Sequence, residues 1–143
     1  MILIWSALVV FLGIVFGTVA PAASYAAEEP SAETVVVPTD TDGVQRLTMV
    51  LDSYSYSPAH VIVQSGRPVE FLLRSVTTIT PHNFILKEED SGLALDRDVG
   101  AGKSAVLRFT PMQKGIFPFY CDKKLPFFAS HREKGMEGKL EVR

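Results

Sequence analysis

Cys121, the only cysteine in this chain of 143 residues, is followed by His131 and Met136, and a second histidine, His82, lies far upstream. One thiolate, two imidazoles and one thioether combine the soft sulfur that Cu(I) prefers with the nitrogen that Cu(II) accepts. Such a set suits a single copper ion of the type 1 class that exchanges one electron at a time. Each residue alone has a plainer reading. Cys121 can be an inert core thiol or can pair with another chain, His82 beside Pro81 can be a satisfied structural histidine, His131 beside Arg132 can be exposed, and Met136 can be core as Met49 is taken to be. The four together in this order favour the metal. His60 falls on the outward face of its segment and reads as a surface residue.

The elements that must hold these residues show a period of two with turn punctuation, the mark of a half-buried sheet. Leu47, Met49 and Leu51 alternate with polar or smaller neighbours. So do Val61 and Val63, then Val69, Phe71 and Leu73, then Ala105, Leu107 and Phe109. His82-Asn83-Phe84-Ile85-Leu86 reads as a further short strand, and Val35-Val36-Val37 as an optional one. Cys121 shares a face with Phe117 and Phe119, and Met136 with Leu140 and Val142, so both sulfurs are expected to point inward. Short strands and no long amphipathic helix predict an all-β fold, a Greek-key antiparallel β-sandwich or barrel of about seven to eight strands. Cys121 would end one strand and Met136 begin the next, so one hairpin loop carries three candidate ligands while His82 arrives from elsewhere.

At these residues the chain resembles the cupredoxins, the small blue-copper proteins that include plastocyanin and azurin. The matching pieces run from Gln45 to Arg143: Tyr56-Ser57-Pro58 with Val61, Val63 and Gly66; Pro81-His82-Asn83-Phe84; Gly115 with Phe117, Phe119, Tyr120 and Cys121; and Met136-Glu137-Gly138-Lys139-Leu140-Glu141-Val142. The resemblance implies that His82, Cys121 and His131 are equatorial copper ligands and Met136 a weak axial one. It also implies that Asn83 locks the two ligand-bearing segments together.

The loop departs from that pattern. Plastocyanin and azurin place two and four residues between the cysteine and the next histidine, whereas here Asp122 to Ala129 and Ser130 intervene. The His131 to Met136 spacing is plastocyanin-like, so the extra length lies on the cysteine side. Ser130-His131-Arg132-Glu133 fits a capping box, and Gly135 can end a single helical turn that fixes His131. A longer loop can admit water or bring Asp122 or Glu133 to the metal. Phe127 and Phe128 are expected to pack back on the barrel end, the alternative being an exposed docking patch.

Composition bounds the rest. A chain of this length allows one domain, and its 14 basic and 16 acidic residues all lie at or after Glu28. A net charge of −2 without a dense basic run gives no reason to expect nucleic acid. The uncharged apolar stretch from Ile2 to Val19, followed by small residues to Ala27, reads as a secretory signal over 1–27, or as an uncleaved anchor over 2–20, despite the lack of a basic start. Residues 28–44 read as a linker or lead-in, and 45–143 as the copper-binding domain. One cysteine in an exported chain forms no internal disulfide. Glycine-rich phosphate loops and zinc-type paired cysteines are absent, and a cysteine protease is disfavoured because a nucleophile needs a cleft with an oriented base.

The expectation is therefore an exported, periplasmic or otherwise extracytoplasmic copper protein, monomeric, that carries electrons between redox protein partners and is not an enzyme. The alternatives are copper tolerance or delivery alongside copper-handling proteins and, more weakly, a copper enzyme with a position open to a small molecule. Membrane contact would come only through the N-terminal segment.

Overall fold

The computed structural model describes residues 33–143. The export segment 1–27 and the start of the lead-in lie outside the described residues. Ten strands follow in order: β1 (Thr34–Val36), β2 (Gln45–Asp52), β3 (Ser55–Ser57), β4 (His60–Val63), β5 (Val69–Ser75), β6 (His82–Leu86), β7 (Leu95–Val99), β8 (Ser104–Phe109), β9 (Gly115–Tyr120) and β10 (Glu137–Val142). They form a six-stranded sheet, β1-β4-β10-β9-β6-β7, and a four-stranded sheet, β3-β2-β5-β8. Among the described residues no helix is long and apolar enough to cross a membrane.

The expected all-β sandwich is present, with two differences. The pairing is mixed: β2 runs parallel to β5, and β4 runs parallel to both β1 and β10. Alternation assigns faces but is silent on strand direction, and crossovers between two sheets readily bring non-consecutive strands together in parallel. The strand count exceeds seven to eight because three short edge elements carry little alternation. In β7, Asp96, Arg97 and Asp98 are all exposed between buried Leu95 and Val99. Consecutive charges suit an edge strand, where they discourage pairing with another chain.

The lead-in is also tied down earlier than residue 45. β1 pairs with β4, Val37 is buried, and the Val37 amide donates to Ile62 O. The optional strand at residues 35–37 thus exists, one residue earlier, and belongs to the sandwich.

Between the sheets lie Met49, Leu51, Phe71, Leu73, Phe84, Phe119 and Leu140, all fully buried. Phe84 and Phe119 stack at 4.7 Å, and Tyr56 meets Phe119 edge-on at 5.1 Å. Each such ring contributes about 1.5–3 kcal/mol on burial. Because Phe84 and Phe119 sit on β6 and β9, this packing fixes the strands that deliver His82 and Cys121.

Candidate metal centre

Cys121 directly follows β9 and Met136 directly precedes β10, in an antiparallel hairpin whose last pair is Tyr120 with Glu137. The Cys121 amide donates to Met136 O at 3.1 Å, and the Met136 amide to His131 O at 2.9 Å. Both sulfur-bearing residues are fully buried, as their shared faces with Phe119 and Leu140 predict.

The long segment between Cys121 and His131 does not displace the histidine, because the His131 amide donates to Lys123 O at 2.8 Å. That bond pinches the loop at its base, and residues 124–130 bulge outward beyond it. Ser130 Oγ accepts from the Glu133 amide at 3.2 Å, while Glu133 Oε2 accepts from the Ser130 amide at 2.6 Å. The capping box therefore forms, and the Gly135 amide, donating to Arg132 O, closes the turn. His131 is buried within it.

His82 opens β6 from the other side. The ligating atoms of His82, Cys121 and His131 all lie within 4.8 Å of one another, with Cys121 Sγ 3.4 Å from His131 Nδ1. The imidazole centroids of His82 and His131 are 5.1 Å apart. Asn83 braces the junction: its amide N–H points at Cys121 Sγ at 3.4 Å, its Nδ2 donates to Asp122 Oδ1 at 2.8 Å, and its Oδ1 accepts from the Asp122 amide at 3.1 Å. Asp122 is thereby turned onto Asn83 and Glu133 onto Ser130. Neither carboxylate joins the cluster.

The protonation of His82 follows from Thr77. The Thr77 hydroxyl has one proton, which it donates to Thr80 O at 2.6 Å, so toward His82 Nε2, 3.2 Å away, it acts as acceptor. The ring proton then sits on Nε2, and Nδ1 carries a bare lone pair. His82 Nδ1 is buried and has no hydrogen-bond partner. Unpartnered buried polar atoms are rare and costly. A lone pair held there suits a metal-ligand position, and the donor set of His82, Cys121 and His131 fits copper.

Burial lowers the pKa of His82 to about 4, with the nearby His131 adding to the effect. Burial and then Lys134 lower that of His131. Burial pushes the Cys121 thiol up, opposed by the amides of Asn83 and Lys123. All three causes keep the imidazoles neutral and available, while the two amides are placed to stabilise a thiolate.

Thr77 and Tyr54 escape sequence reasoning, and Asp122, expected at most to approach the metal, is instead the partner of Asn83. Tyr54 meets the His131 ring edge-on at 5.0 Å and walls the site. No spacing marks Thr77 or Tyr54, since both arrive from loops. Two surface expectations also change. His60 is half-buried, bonded to Thr34 Oγ1 and Glu141 Oε2 away from the cluster, and so ties β1, β4 and β10 together. Phe127 and Phe128 do not pack back: both are exposed, Phe127 completely. The pinch at Lys123 directs that part of the loop away from the barrel.

A ten-stranded sandwich with a buried cysteine and two histidines at one end defines a class of small metal-binding β-proteins. A family model described as the cupredoxin-like domain matches residues 8–140, and the chain belongs to that family. No curated protein sequence shows detectable similarity. Among solved structures, the metal-binding domain of the Streptococcus pneumoniae D39 Cu(I)-exporting P-type ATPase CopA, with Cu(I), is 24% identical, over 78% of this chain and 97% of that one (TM-score 0.58). Reduced auracyanin from Roseiflexus castenholzii is 18% identical, over 68% and 96% (TM-score 0.55). A copper-containing nitrite reductase from Thermus scotoductus is 19% identical, over 77% of this chain and 28% of that longer one (TM-score 0.53). At these identities the likeness is one of fold.

Proposed function

We propose that the domain binds one copper ion through His82 Nδ1, Cys121 Sγ and His131 Nδ1, with the Met136 sulfur as a weak fourth ligand, and passes single electrons between redox proteins outside the cytoplasm. The observation that carries this reading is the orphaned, buried Nδ1 of His82, on a residue whose ligand atom lies within 4.8 Å of those of Cys121 and His131. Copper held there supplies a one-electron couple. The chain's own residues do the rest. Thr77 holds the His82 tautomer, Asn83 donates its amide to the sulfur and clamps residue 122, and the capped turn holds His131. Rigid strands on both sides keep the donors in place, which limits rearrangement between oxidation states.

Copper loading of the full-length chain should give a one-to-one complex with an intense visible thiolate-to-copper band and a type 1 paramagnetic signal. Cys121→Ser should abolish the band. A folded, copper-loaded sample without that band sinks the reading.

A second reading, copper tolerance or delivery, is favoured by the structural likeness to a domain of a Cu(I) exporter. Copper-sensitive growth of a deletion strain with normal respiration would support it. A respiratory defect restored by the protein supports electron transfer. Export rests on the apolar segment 1–27, and fractionation of the native protein, with mass analysis of its N-terminus, tests both export and cleavage.

A further inference from the structure

The segment between Cys121 and His131 carries an apolar surface that nothing in the chain covers. Leu125 and Phe128 are 69% and 65% exposed, Phe127 is fully exposed, and Ile79 from the facing loop is 87% exposed. Leu125, Phe128 and Ile79, with Tyr54 and His131, border a basin of about 380 Å³, so the apolar ground reaches the imidazole proposed to bind copper. Phe127 also has a φ of 67°, in the left-handed region that bulky residues avoid. A strained backbone that delivers a phenyl ring into water gains nothing in the free protein, and apolar patches of this kind mark interaction sites.

Three lysines rim the same basin. Lys123 is paired with Asp98 at 2.6 Å. Lys134 lies over the Tyr54 ring at 4.3 Å and donates to its hydroxyl. Among the described residues neither Lys124 nor Lys134 has a carboxylate within ion-pair distance. Free positive charge around an apolar centre, on a chain of net charge −2, is a local reversal of the molecule's own sign. It argues against a second copy on this face, which would set lysine against lysine, and for a partner with acidic groups around an apolar centre.

We infer that the cysteine-side loop is a docking element, with Leu125, Phe127 and Phe128 as apolar anchors and Lys124 and Lys134 selecting an acidic protein surface. The inference rests on the copper reading only for the purpose of docking, not for the surface itself. Docking here places the partner against the His131 edge, the shortest way out of the proposed centre.

A c-type cytochrome with a basic surface, and the same cytochrome with its lysines succinylated, present one fold with opposite charge. Calorimetric titration of the copper-free full-length chain with each should show binding to the acidic form at least tenfold tighter, weakening as salt rises. Lys124→Glu with Lys134→Glu should reverse that preference, and Phe127→Ser should weaken binding to the acidic form while leaving the unfolding midpoint unchanged. Equal binding of both cytochromes, or a preference for the basic one, overturns the inference. So does loop-dependent binding to phosphatidylglycerol vesicles, lost in Phe127→Ser, without a preference between the cytochromes, since it makes the patch a membrane contact. Concentration-dependent self-association abolished by Phe127→Ser overturns it in favour of a dimer. Because this titration needs no metal, a missing copper band would defeat the functional reading and leave the docking result standing.

Discussion

Asn83 and Asp122 are joined reciprocally, the Asn83 carboxamide donating to the Asp122 side chain at 2.8 Å and accepting from the Asp122 main chain at 3.1 Å. One side chain on β6 thus fixes the residue after Cys121, and the Asn83 amide reaches the sulfur itself.

Replacing Asn83 with Leu leaves the Asp122 amide and carboxylate without their partner. Loss of part-buried hydrogen bonds of this kind to the exposed Asp122 costs about 0.5–1.5 kcal/mol, read as a lower urea midpoint of the copper-free protein. Copper affinity should fall about 10- to 100-fold, the usual consequence of removing a residue that orients ligands. An unchanged affinity would show that the strands alone position Cys121.

Tyr56 Oη donates to Asn83 O at 2.6 Å, deep between the sheets. Tyr56→Phe keeps the ring contacts with Phe84 and Phe119 but orphans that carbonyl, and should cost about 1–2 kcal/mol. Thermal unfolding of the copper-free domain measures it. Retention of full stability would mean that the carbonyl finds another donor.

How much of this was legible in the sequence depends on what each residue's neighbours do. The inward faces of Cys121 and Met136 follow from two-residue alternation with Phe119 and Leu140, and all four are buried. The turn at Ser130–Glu133 is legible because a capping box is a local contract between residues three apart. β7 was hidden because an edge strand with three exposed charged residues has no alternation to read. The exposure of Phe127 and Phe128 was hidden for another reason. It depends on a non-local bond, His131 N to Lys123 O, that sends the rest of the loop outward. Thr77 is likewise invisible beforehand, since its role depends on which proton its hydroxyl has left to give.

Gly138 on β10 passes so close to Ala59 O and the Phe119 ring that a Cβ there would overlap both. Gly138→Ala must therefore push β10 from β4 or move Phe119 against Phe84. Overpacking of this kind costs about 3 kcal/mol, and the displaced β10 carries Met136 with it. A reduced unfolding midpoint together with an altered visible spectrum is the expected outcome. A spectrum identical to that of the parent would separate the strand from the metal centre.

Acid should destabilise the copper-free protein before it affects most carboxylates. The folded pKa of His82 is about 4 against an ordinary 6.5, and that of His131 is lowered in the same direction. Below pH 6.5 the unfolded chain takes up protons that the folded one refuses, so stability is full above 6.5 and is lost as pH falls toward 4. At about 1.4 kcal/mol per unit, His82 accounts for at most about 3 kcal/mol of that loss. Cys121, whose thiol is raised above its ordinary 9.0, gives the opposite limb: its contribution is present below pH 9 and declines as pH rises further. Urea midpoints between pH 4 and 10 should trace a dome, and His82→Asn should flatten its acid side. An acid side as steep in that variant as in the parent would place the titration elsewhere.

The capped turn makes a sharper separation between stability and metal retention. Ser130 Oγ accepts from the Glu133 amide and donates to the Glu133 carboxylate, on an exposed turn that buries little besides His131. Ser130→Ala should therefore cost only about 1 kcal/mol in global stability, the usual value of a lost cap. His131 would be held less firmly by its own turn while Cys121 and His82 stay fixed on their strands. Copper should leave faster, by about tenfold, when a chelator is added to the loaded protein, whereas Glu133→Gln, which keeps an acceptor for the Ser130 amide, should lose copper more slowly than Ser130→Ala. If both variants release copper at the parental rate, the pinch at Lys123 rather than the cap is what holds His131 in place.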